Sequence, residues 1–578
     1  MIPTQSCIKK LLVIYNISHN EVKPEKPMKN FLLILILLLT TQILQAQFGS
    51  QDSGGKILPG VACYDVLFYD INITIDTEDQ VIAGEVVMRS RANKNFSKMI
   101  VDLDDVFSLE SVELISPQKI DLHYDHNDGK IFIALPEEMK EGNTFEIKTI
   151  YAGKPRVALN PPWDDGFVWK KSKDGITWAS VACQGGGADI WWPCKDYPSD
   201  EPDSVSIHLT VPSELVCISN GKLMNTINNN DNTKTWNWFV STPINNYCVT
   251  FYIGPYKQID YDYTSTTGEK IPFTVWVLPD NFELAKKHSP QFIDHMKIME
   301  ELIGPYPFRS DKYSVVEAPY LGMEHQTAIA YGYGWKNDEK FPFDWLHHHE
   351  FSHDWWGNMV TCATWNDFWI HEGIGTYMQP LYLEKMFGKK MYIDYLRSIK
   401  KFSNNMPVAP RDTLTAGESY NLDIYYKGAW IVHTLRYYLG DEIFFKVLRR
   451  WAYPDPEMEN IKDGRQCRFA TTDELIKIAE KISGKNLDWF FEVYLRHAQL
   501  PVLYAKNDNS KLVLWWKTEN DLPFNLPVEI KIGNQIETVK MLDNKGEINL
   551  PVNTDYNIDP DEWILMDKII LIDENKNK

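Results

Sequence analysis

The sequence predicts a multidomain α+β protein with an N-terminal antiparallel β domain, an α-rich middle domain and a small C-terminal β-sandwich. Three observations predict this fold class. The chain has 578 residues, too many for one hydrophobic core, so we expect about two to four domains. Hydrophobic residues make up 44% of the chain, enough to fill several cores. They alternate with polar residues near both ends of the chain and follow a helical period in the middle.

The first predicted domain, residues 47–256, has the two-residue period of half-buried strands. In “INITID”, Ile71, Ile73 and Ile75 fall on one face of the strand. Turn sequences such as “HNDGK” and “ISNGKL” recur at short spacing, as they do between antiparallel strands. This region is therefore predicted to contain twisted antiparallel sheets.

The second predicted domain, residues 257–500, changes to a helical period. “TTDELIKIAEKI” begins with a capping box from Thr471 to Glu474. The apolar residues that follow it recur three or four positions apart, which places them on one helical face. “GDEIFFKVLRRW” and “NLDWFFEVYLRHA” indicate further helices.

The third predicted domain, residues 501–578, returns to a period of two and is read as a small β-sandwich. Its alternating apolar residues fall in two groups: Leu512, Leu514 and Trp516, then Val528, Ile530 and Ile532.

Residues 28–46 are predicted to be a secretory signal peptide. In “MKNFLLILILLLTTQILQA”, Lys29 precedes an apolar run, and Ala46 supplies a small residue before Gln47. The apolar run is too short to span a bilayer comfortably, and no later segment reaches ~18 consecutive apolar residues. We therefore expect an exported protein, periplasmic or secreted, with no stable membrane span once the signal is removed.

Residues 1–27 are interpreted as an over-extended start, with Met28 as the true first residue. The alternative is a signal anchor that stays in the membrane.

Charge and cysteine content exclude some classes of function. The formal net charge is -20, which argues against nucleic acid as a partner because nucleic-acid binding needs a basic footprint. The chain has eight cysteines without a C-x-x-C pair, which argues against a cysteine zinc site. The formation of one or two disulfides after export is left as an alternative, and the sequence does not define which cysteines would pair.

The stretch “HHHEFSH” has one register that matches H-E-x-x-H, namely His349, Glu350 and His353. On a helix, positions i and i+4 share a face, so the two imidazoles can bind one metal ion. Glu350 is then placed to reach a water molecule at that ion. His347 and His348 are expected on the helix surface or behind the metal ligands.

Glu372 is the predicted third ligand. A catalytic zinc site takes three protein ligands and keeps a fourth position open, and two histidines leave it one ligand short. Eighteen residues separate His353 from Glu372, enough for the helix to end and a second helix, “HEGIGTYMQPLYLEKMF”, to return. The alternative for Glu372 alone is a solvated acid.

These motifs resemble a known family. “HEFSHDWWGNMVT” followed by “WIHEG” is similar to the zinc-binding signature of the M1 aminopeptidases, which include aminopeptidase N and leukotriene A4 hydrolase. “GPYPF” at 304–308, “GMEH” at 322–325 and “YYKG” at 425–428 resemble further family landmarks in the family's order. The resemblance implies a thermolysin-like catalytic domain over residues 257–500 and one zinc ion per chain, bound by His349, His353 and Glu372.

The resemblance also implies the catalytic roles. Glu350 would be the general base that accepts a proton from the attacking water. Tyr425, the first residue of “YYKG”, would donate a hydrogen bond to the oxyanion; its neighbour Tyr426 is the residue with which it could be confused.

Four residues are expected to bind the substrate. Glu324, with Gly322 and Met323 before it, matches the acid of the family motif that binds the free α-amine. Gln184, in “CQGGGAD”, resembles a family glutamine that helps to hold the same amine. The implied function is a zinc aminopeptidase that acts on peptides with a free N-terminus.

The sequence departs from the family pattern in two respects. The family's Asn after the motif acid is His325 here, and the first Gly of the motif is Leu321. Many members also carry a large C-terminal helical domain that roofs the active site, and the sequence after residue 500 is too short for one. The cleft is then either more open or closed by a second subunit. A homo-oligomer is therefore one of the alternatives.

Three alternatives to the aminopeptidase remain. A zinc endopeptidase and an epoxide hydrolase would use the same scaffold, although Glu324 argues against the endopeptidase. A non-catalytic peptide-binding relative would be expected to lose a metal ligand, Glu350 or Tyr425, and all of these are present.

Overall fold

The computed structural model describes residues 52–508, 510–550 and 554–572. The predicted over-extended start, 1–27, and the predicted signal peptide, 28–46, lie outside the described residues. Among the helices that the structure describes, none combines the length and apolar character needed to cross a membrane.

The first part of the chain is built from strands. They are β1 (Tyr64–Asp76), β2 (Val81–Ala92), β3 (Phe96–Asp102), β4 (Phe107–Ser116), β5 (Ile120–Asp121), β6 (His123–Asn127), β7 (Lys130–Met139), β8 (Thr144–Gly153), β9 (Gly166–Lys171), β10 (Thr177–Ala182), β11 (Ser204–Pro212), β12 (Val216–Ser219), β13 (Lys222–Asn228), β14 (Thr233–Val240) and β15 (Phe251–Gly254).

These strands form three sheets. An eight-stranded sheet has the order β13-β14-β11-β1-β2-β8-β4-β5, a four-stranded sheet has β12-β15-β10-β9, and a three-stranded sheet has β3-β7-β6. Neighbours in the large sheet are antiparallel except for β1 and β11, which pair in parallel. Ile71, Ile73 and Ile75 of β1 are buried while the residues between them are exposed, as the alternation predicts.

The middle of the chain combines helices with a second mixed sheet. The strands of this region are β16 (Lys257–Thr264), β17 (Lys270–Val277), β18 (Tyr313–Glu317), β19 (Gly322–Met323), β20 (Ile329–Tyr331), β21 (Val360–Cys362) and β22 (Arg468–Ala470). The first five form one sheet in the order β16-β17-β18-β20-β19, so β19 lies at its edge.

The helices of this region are α1 (Phe282–His288), α2 (Pro290–Leu302), α3 (Trp345–Ser352), α4 (Trp369–Phe387), α5 (Lys389–Ser398), α6 (Ala416–Ser419), α7 (Leu422–Leu439), α8 (Asp441–Ala452), α9 (Thr472–Ser483) and α10 (Asp488–Leu495). Helix α9 begins where the capping sequence predicts, because the Thr471 side chain accepts a hydrogen bond from the backbone N–H of Glu474 at 3.2 Å.

The last part of the chain is again β. Its strands are β23 (Val502–Asp508), β24 (Lys511–Lys517), β25 (Val528–Ile532), β26 (Gln535–Val539), β27 (Lys545–Asn549), β28 (Tyr556–Ile558) and β29 (Ile569–Ile572). They form a four-stranded sheet, β27-β24-β23-β29, and a three-stranded sheet, β26-β25-β28. The inward residues Leu512, Leu514 and Trp516 are buried.

The C-terminal sheets are fixed to the middle of the chain through α7. The His433 ring stacks on Trp563 with 4.8 Å between centroids, and Thr434 Oγ1 donates a hydrogen bond of 3.0 Å to the Trp563 carbonyl. The predicted fold class is confirmed: a β-rich N-terminal part, a helical middle and C-terminal strands. The boundaries at residues 256 and 500 stay predictions.

The seven cysteines within the described residues are unpaired: Cys63, Cys183, Cys194, Cys217, Cys248, Cys362 and Cys467. No disulfide joins any two of these seven residues in the structure.

Candidate active site

The candidate metal centre is assembled from two helices. Asp344 caps the start of α3 by accepting a hydrogen bond of 3.0 Å from the backbone N–H of His347. His349 lies one helical turn after Trp345, the first residue of α3. His353 follows the end of α3 but keeps helical backbone angles, so both imidazoles project from the same face. Glu372 lies in the first turn of α4. The ligand atoms of the three residues lie within 4.8 Å of one another.

The donor atoms of this cluster fit a metal ion. Glu372 Oε2 lies 3.4 Å from His349 Nε2 and 3.6 Å from His353 Nε2, and it is buried without a hydrogen-bond partner. His353 Nδ1 donates a hydrogen bond of 2.9 Å to the Trp356 carbonyl, which leaves the Nε2 lone pair for the cluster. Two imidazole nitrogens and one carboxylate oxygen are a donor set of catalytic zinc sites.

A close helix crossing brings Glu372 beside Tyr425. Helices α4 and α7 meet at Gly373 and Gly428, and a Cβ on Gly428 would lie 2.8 Å from the Cα of Gly373. Only glycine lets two helical backbones approach this closely. Gly373 belongs to the motif “WIHEG” and Gly428 to the motif “YYKG”. The contact between these two glycines therefore explains why the two motifs lie side by side in the fold.

Tyr425 faces the metal cluster. Its ring lies 5.9 Å from the His349 ring, centroid to centroid. Burial raises the pKa of Glu372 to about 8, and the charge of His353 acts in the opposite direction. Burial also raises the pKa of the Tyr425 phenol well above its usual range, so the group keeps its proton and can donate it in a hydrogen bond.

Glu350 lies on α3 between the two histidines and faces β19. A Cβ on Gly322 would come within 2.5 Å of Glu350 Oε1, so the missing side chain leaves room for the carboxylate. Burial, with the charges of Glu324 and Glu372, raises the pKa of Glu350 well above its usual range. Glu350 is therefore a buried acid between the two histidines and β19.

Glu324 closes the other end of the site. Its side chain is buried, and its Oε1 accepts hydrogen bonds from Tyr247 Oη at 2.9 Å and from Gln184 Nε2. Asn358 Nδ2 donates a hydrogen bond of 2.9 Å to the Glu324 carbonyl, which fixes the backbone. The structure therefore brings Gln184 into contact with Glu324, and their predicted role in substrate binding stays a prediction. Gly322 and Met323 form β19, directly before this acid.

Two family models match the chain. The model of the peptidase M1 N-terminal domain matches residues 66–248, and that of the peptidase family M1 domain matches residues 337–494. Together they cover more than half of the chain.

The chain belongs to peptidase family M1.

Curated relatives in the M1 family are longer than this chain. Aminopeptidase M1 of Arabidopsis thaliana is 25% identical over 347 residues, which is 56% of this chain and 37% of the relative. Endoplasmic reticulum aminopeptidase 1 of Homo sapiens is 22% identical over 378 residues, which is 61% of this chain and 39% of the relative. The matched part of this chain spans less than half the length of these relatives.

Solved M1 structures share the fold. An M1 zinc metallopeptidase from Deinococcus radiodurans superposes with a TM-score of 0.63 at 21% identity, covering 78% of this chain and 98% of that chain. A mutant of the same protein bound to a Tyr-Ser-Ala substrate gives a TM-score of 0.62 at 22% identity and the same coverage.

The surface position considered for His347 and His348 is wrong, because both side chains are fully buried behind the M1 zinc signature. His347 stacks on Phe292 at 3.5 Å, and its two ring nitrogens contact His295 Nδ1 at 2.8 Å and Tyr313 Oη at 2.6 Å. These contacts hold α3 against α2 and β18. Sequence pattern could not show this, because the cluster joins residues far apart in the chain.

His325 replaces the family Asn without entering the pocket. Its ring is buried, and its Nδ1 lies 2.7 Å from Tyr252 Oη. Leu321, the other departure from the M1 motif, is partly buried at the start of β19. Glu324, which lies between them, accepts hydrogen bonds from Tyr247 and Gln184.

Sequence reasoning missed two tyrosines near the centre. Tyr247 hydrogen-bonds Glu324, and Tyr420 Oη lies 3.4 Å from Tyr425 Oη. Neither belongs to a motif that marks it. The spacing of five residues between Tyr420 and Tyr425, across the start of α7, is the only signal for the second.

Proposed function

We propose that this protein is a zinc-dependent aminopeptidase that hydrolyses the first peptide bond of peptides with a free N-terminus. The observation that carries the proposal is Glu324. It is a buried carboxylate beside the metal cluster, held by the neutral groups of Tyr247 and Gln184. The ion pairs found in the described part of the chain leave Glu324 without a cationic partner, and a substrate ammonium group would supply one.

Zinc is the metal that best suits the donor set, with His349, His353 and Glu372 as its ligands. When bound, zinc polarises the attacking water and the scissile carbonyl. The Oε2 atom of Glu372 supports this assignment because it is buried without a hydrogen-bond partner and faces the two imidazoles.

The remaining steps are carried by the chain's own residues. Glu324 binds the α-ammonium, which sets the first peptide bond over the centre. Glu350 accepts a proton from the attacking water and passes it to the leaving amine nitrogen when the C–N bond breaks. Tyr425 donates a hydrogen bond to the oxygen of the former carbonyl as it gains negative charge.

The edge strand β19 can align the substrate backbone. It pairs with β20 on one side only, so its outer edge offers backbone groups to an extended peptide. This strand runs directly into Glu324. A peptide added along it would end at that acid, which favours removal of one residue at a time.

Export is part of the proposal. Its support is the predicted signal at residues 28–46, with its positive start, apolar run and small residue before Gln47. N-terminal sequencing of exported material should give a start near Gln47. A start at or before Met28 would favour the membrane anchor.

The alternatives are separated by one panel of measurements. Aminoacyl fluorogenic substrates should be cleaved, and a chelator followed by zinc should abolish and restore the activity. An endopeptidase would cleave internal bonds of blocked peptides, an epoxide hydrolase would leave peptides intact, and a peptide-binding relative would bind without turnover. Light scattering at the assay concentration tests whether a second copy closes the cleft.

A further inference from the structure

The segment of residues 52–55 crosses between two loops that lead to opposite ends of the candidate site. One is the glycine loop, residues 184–187, which begins with the amine-binding Gln184. The other is the α6 loop, residues 414–420, which precedes α7 and ends at Tyr420, beside Tyr425. The two loops are more than 200 residues apart in the chain.

Backbone hydrogen bonds fasten this segment to both loops. Ser53 N donates to the Gly185 carbonyl at 3.0 Å, while the Ser53 carbonyl accepts from Ala416 N at 2.9 Å. Gly55 N donates to the Leu414 carbonyl at 3.2 Å. One residue, Ser53, is therefore bonded to the two loops at once, and its side chain is buried.

Asp52 adds a charged anchor on the side of the α6 loop. Its carboxylate accepts hydrogen bonds from Gly417 N at 2.8 Å and from the Thr415 hydroxyl. Two donors on one carboxylate fix both the segment and the loop, and bonds to a charged acceptor are stronger than neutral ones.

The segment also supports the wall behind Glu324. Trp365 Nε1 donates a hydrogen bond of 3.2 Å to Ser53 Oγ, and the Trp365 ring lies 6.1 Å from the Tyr247 ring. Gly54 has a φ of 84° and packs on Trp365 so closely that a Cβ would collide with the indole. Tyr247 in turn bonds Glu324. Contacts therefore run without a break from the segment to the amine-binding acid.

We propose that residues 52–55 are a strap that fixes the separation of the glycine loop and the α6 loop, with Asp52 as the positioning residue. The strap touches neither the metal ligands nor the substrate acid directly. It acts by holding Gln184 at the amine end and Tyr420, beside Tyr425, at the oxyanion end. Its kinetic consequence rests on the proposed aminopeptidase function, whereas its structural consequence does not.

Three variants test the strap. Asp52→Ala removes both acceptors, whereas Asp52→Asn keeps an acceptor for Gly417 N and a donor for the Thr415 hydroxyl. Asp76→Ala is the matched control, since the Asp76 carboxylate also accepts two hydrogen bonds, from the backbone N–H groups of Glu78 and Asp79, but at an exposed turn.

The first measurement is hydrogen–deuterium exchange of the whole protein. Asp52→Ala should speed exchange in peptides covering residues 183–187 as well as residues 414–420, while Asp52→Asn and Asp76→Ala should resemble the wild type. Faster exchange in the α6 loop alone would overturn the proposal, because Asp52 would then be a local anchor. Unchanged exchange in both loops would also overturn it. This measurement holds even if the wild type proves inactive on peptides.

The second measurement is steady-state kinetics on a free N-terminal peptide. Asp52→Ala should lose about tenfold or more in kcat/KM, with unchanged zinc content and thermal midpoint, and Asp52→Asn should restore most of it. A kinetic loss that came with equal loss of zinc and a lower thermal midpoint would indicate a purely structural role. Unchanged kinetics beside faster exchange would likewise sink the positioning role.

Discussion

Tyr247 donates a hydrogen bond of 2.9 Å to Oε1 of Glu324, deep in the pocket. Tyr247 lies in the N-terminal β-rich part of the chain and Glu324 follows the edge strand β19, so the acid proposed to bind the amine is oriented from outside its own sheet. A carboxylate held by neutral donors keeps its negative charge available for the substrate ammonium.

Tyr247→Phe should therefore weaken substrates that carry a free amine. Loss of a hydrogen bond to a charged group costs about 1.5–3 kcal/mol, which corresponds to a fall of roughly 10- to 100-fold in kcat/KM. Tyr494→Phe is the control, because that buried phenol bonds the Leu565 carbonyl far from the site. Equal effects of the two variants would show that the Tyr247 contact has no special role.

Glu350→Gln should retain the metal and the fold but lose about 10²- to 10⁴-fold in kcat, since an amide cannot accept the proton of water. Elemental analysis and circular dichroism check the first two points. His353→Ala supplies the contrast, because it should lose metal as well as activity. A Glu350→Gln enzyme that turns over normally would remove Glu350 from the mechanism.

Tyr425→Phe should lower kcat by about 10²- to 10³-fold and change KM much less, because its hydrogen bond strengthens as the oxyanion forms. Tyr426→Phe, next in the chain, should leave both constants near the wild-type values. If Tyr425→Phe changed KM alone, the phenol would bind substrate without stabilising the transition state.

Asp165 gives a pH-dependent prediction. Burial raises the pKa of its carboxyl to about 7, although the carboxylate accepts hydrogen bonds from Gly186 N at 2.6 Å and Gly185 N at 3.3 Å. The unfolded chain titrates near ~3.9, so this group favours folding most below about pH 4, and the benefit is lost as pH rises to about 7. The change amounts to at most about 4 kcal/mol.

Asp165→Asn cannot titrate, so it should gain thermal stability relative to the wild type as pH rises from 4 to 7. The difference between the two thermal midpoints, measured across this range, checks the sign. A constant difference would mean that Asp165 has an ordinary pKa in the folded protein.

Much of the site was predictable because the residues of the candidate metal centre lie close together in the sequence. His349 and His353 are one helical turn apart, and the spacing to Glu372 predicts a returning helix. Strand alternation in β1 and the cap at Thr471 are equally local, and both are confirmed.

The unpredicted features are those that depend on tertiary packing. The burial of His347 requires Phe292, Tyr313 and His295, which arrive from other elements. The hydrogen bonds that join Ser53 to Gly185 and Ala416 connect three segments that are distant in the chain. They use backbone atoms, which every residue has, so the sequence does not indicate them. Tyr247 likewise lies in a short 3-10 helix whose sequence gives no sign of its contact with Glu324.

The most direct test of the account compares a peptide with its N-acetylated form, side by side, in the wild type and Glu324→Ala. Acetylation removes the positive charge that Glu324 is proposed to bind and adds bulk at the closed end of the pocket. The wild type should cleave the free peptide and barely act on the blocked one. Glu324→Ala should lose roughly 2–5 kcal/mol in kcat/KM on the free peptide only. Equal wild-type rates on the two peptides would contradict the aminopeptidase account and indicate an endopeptidase on the M1 fold.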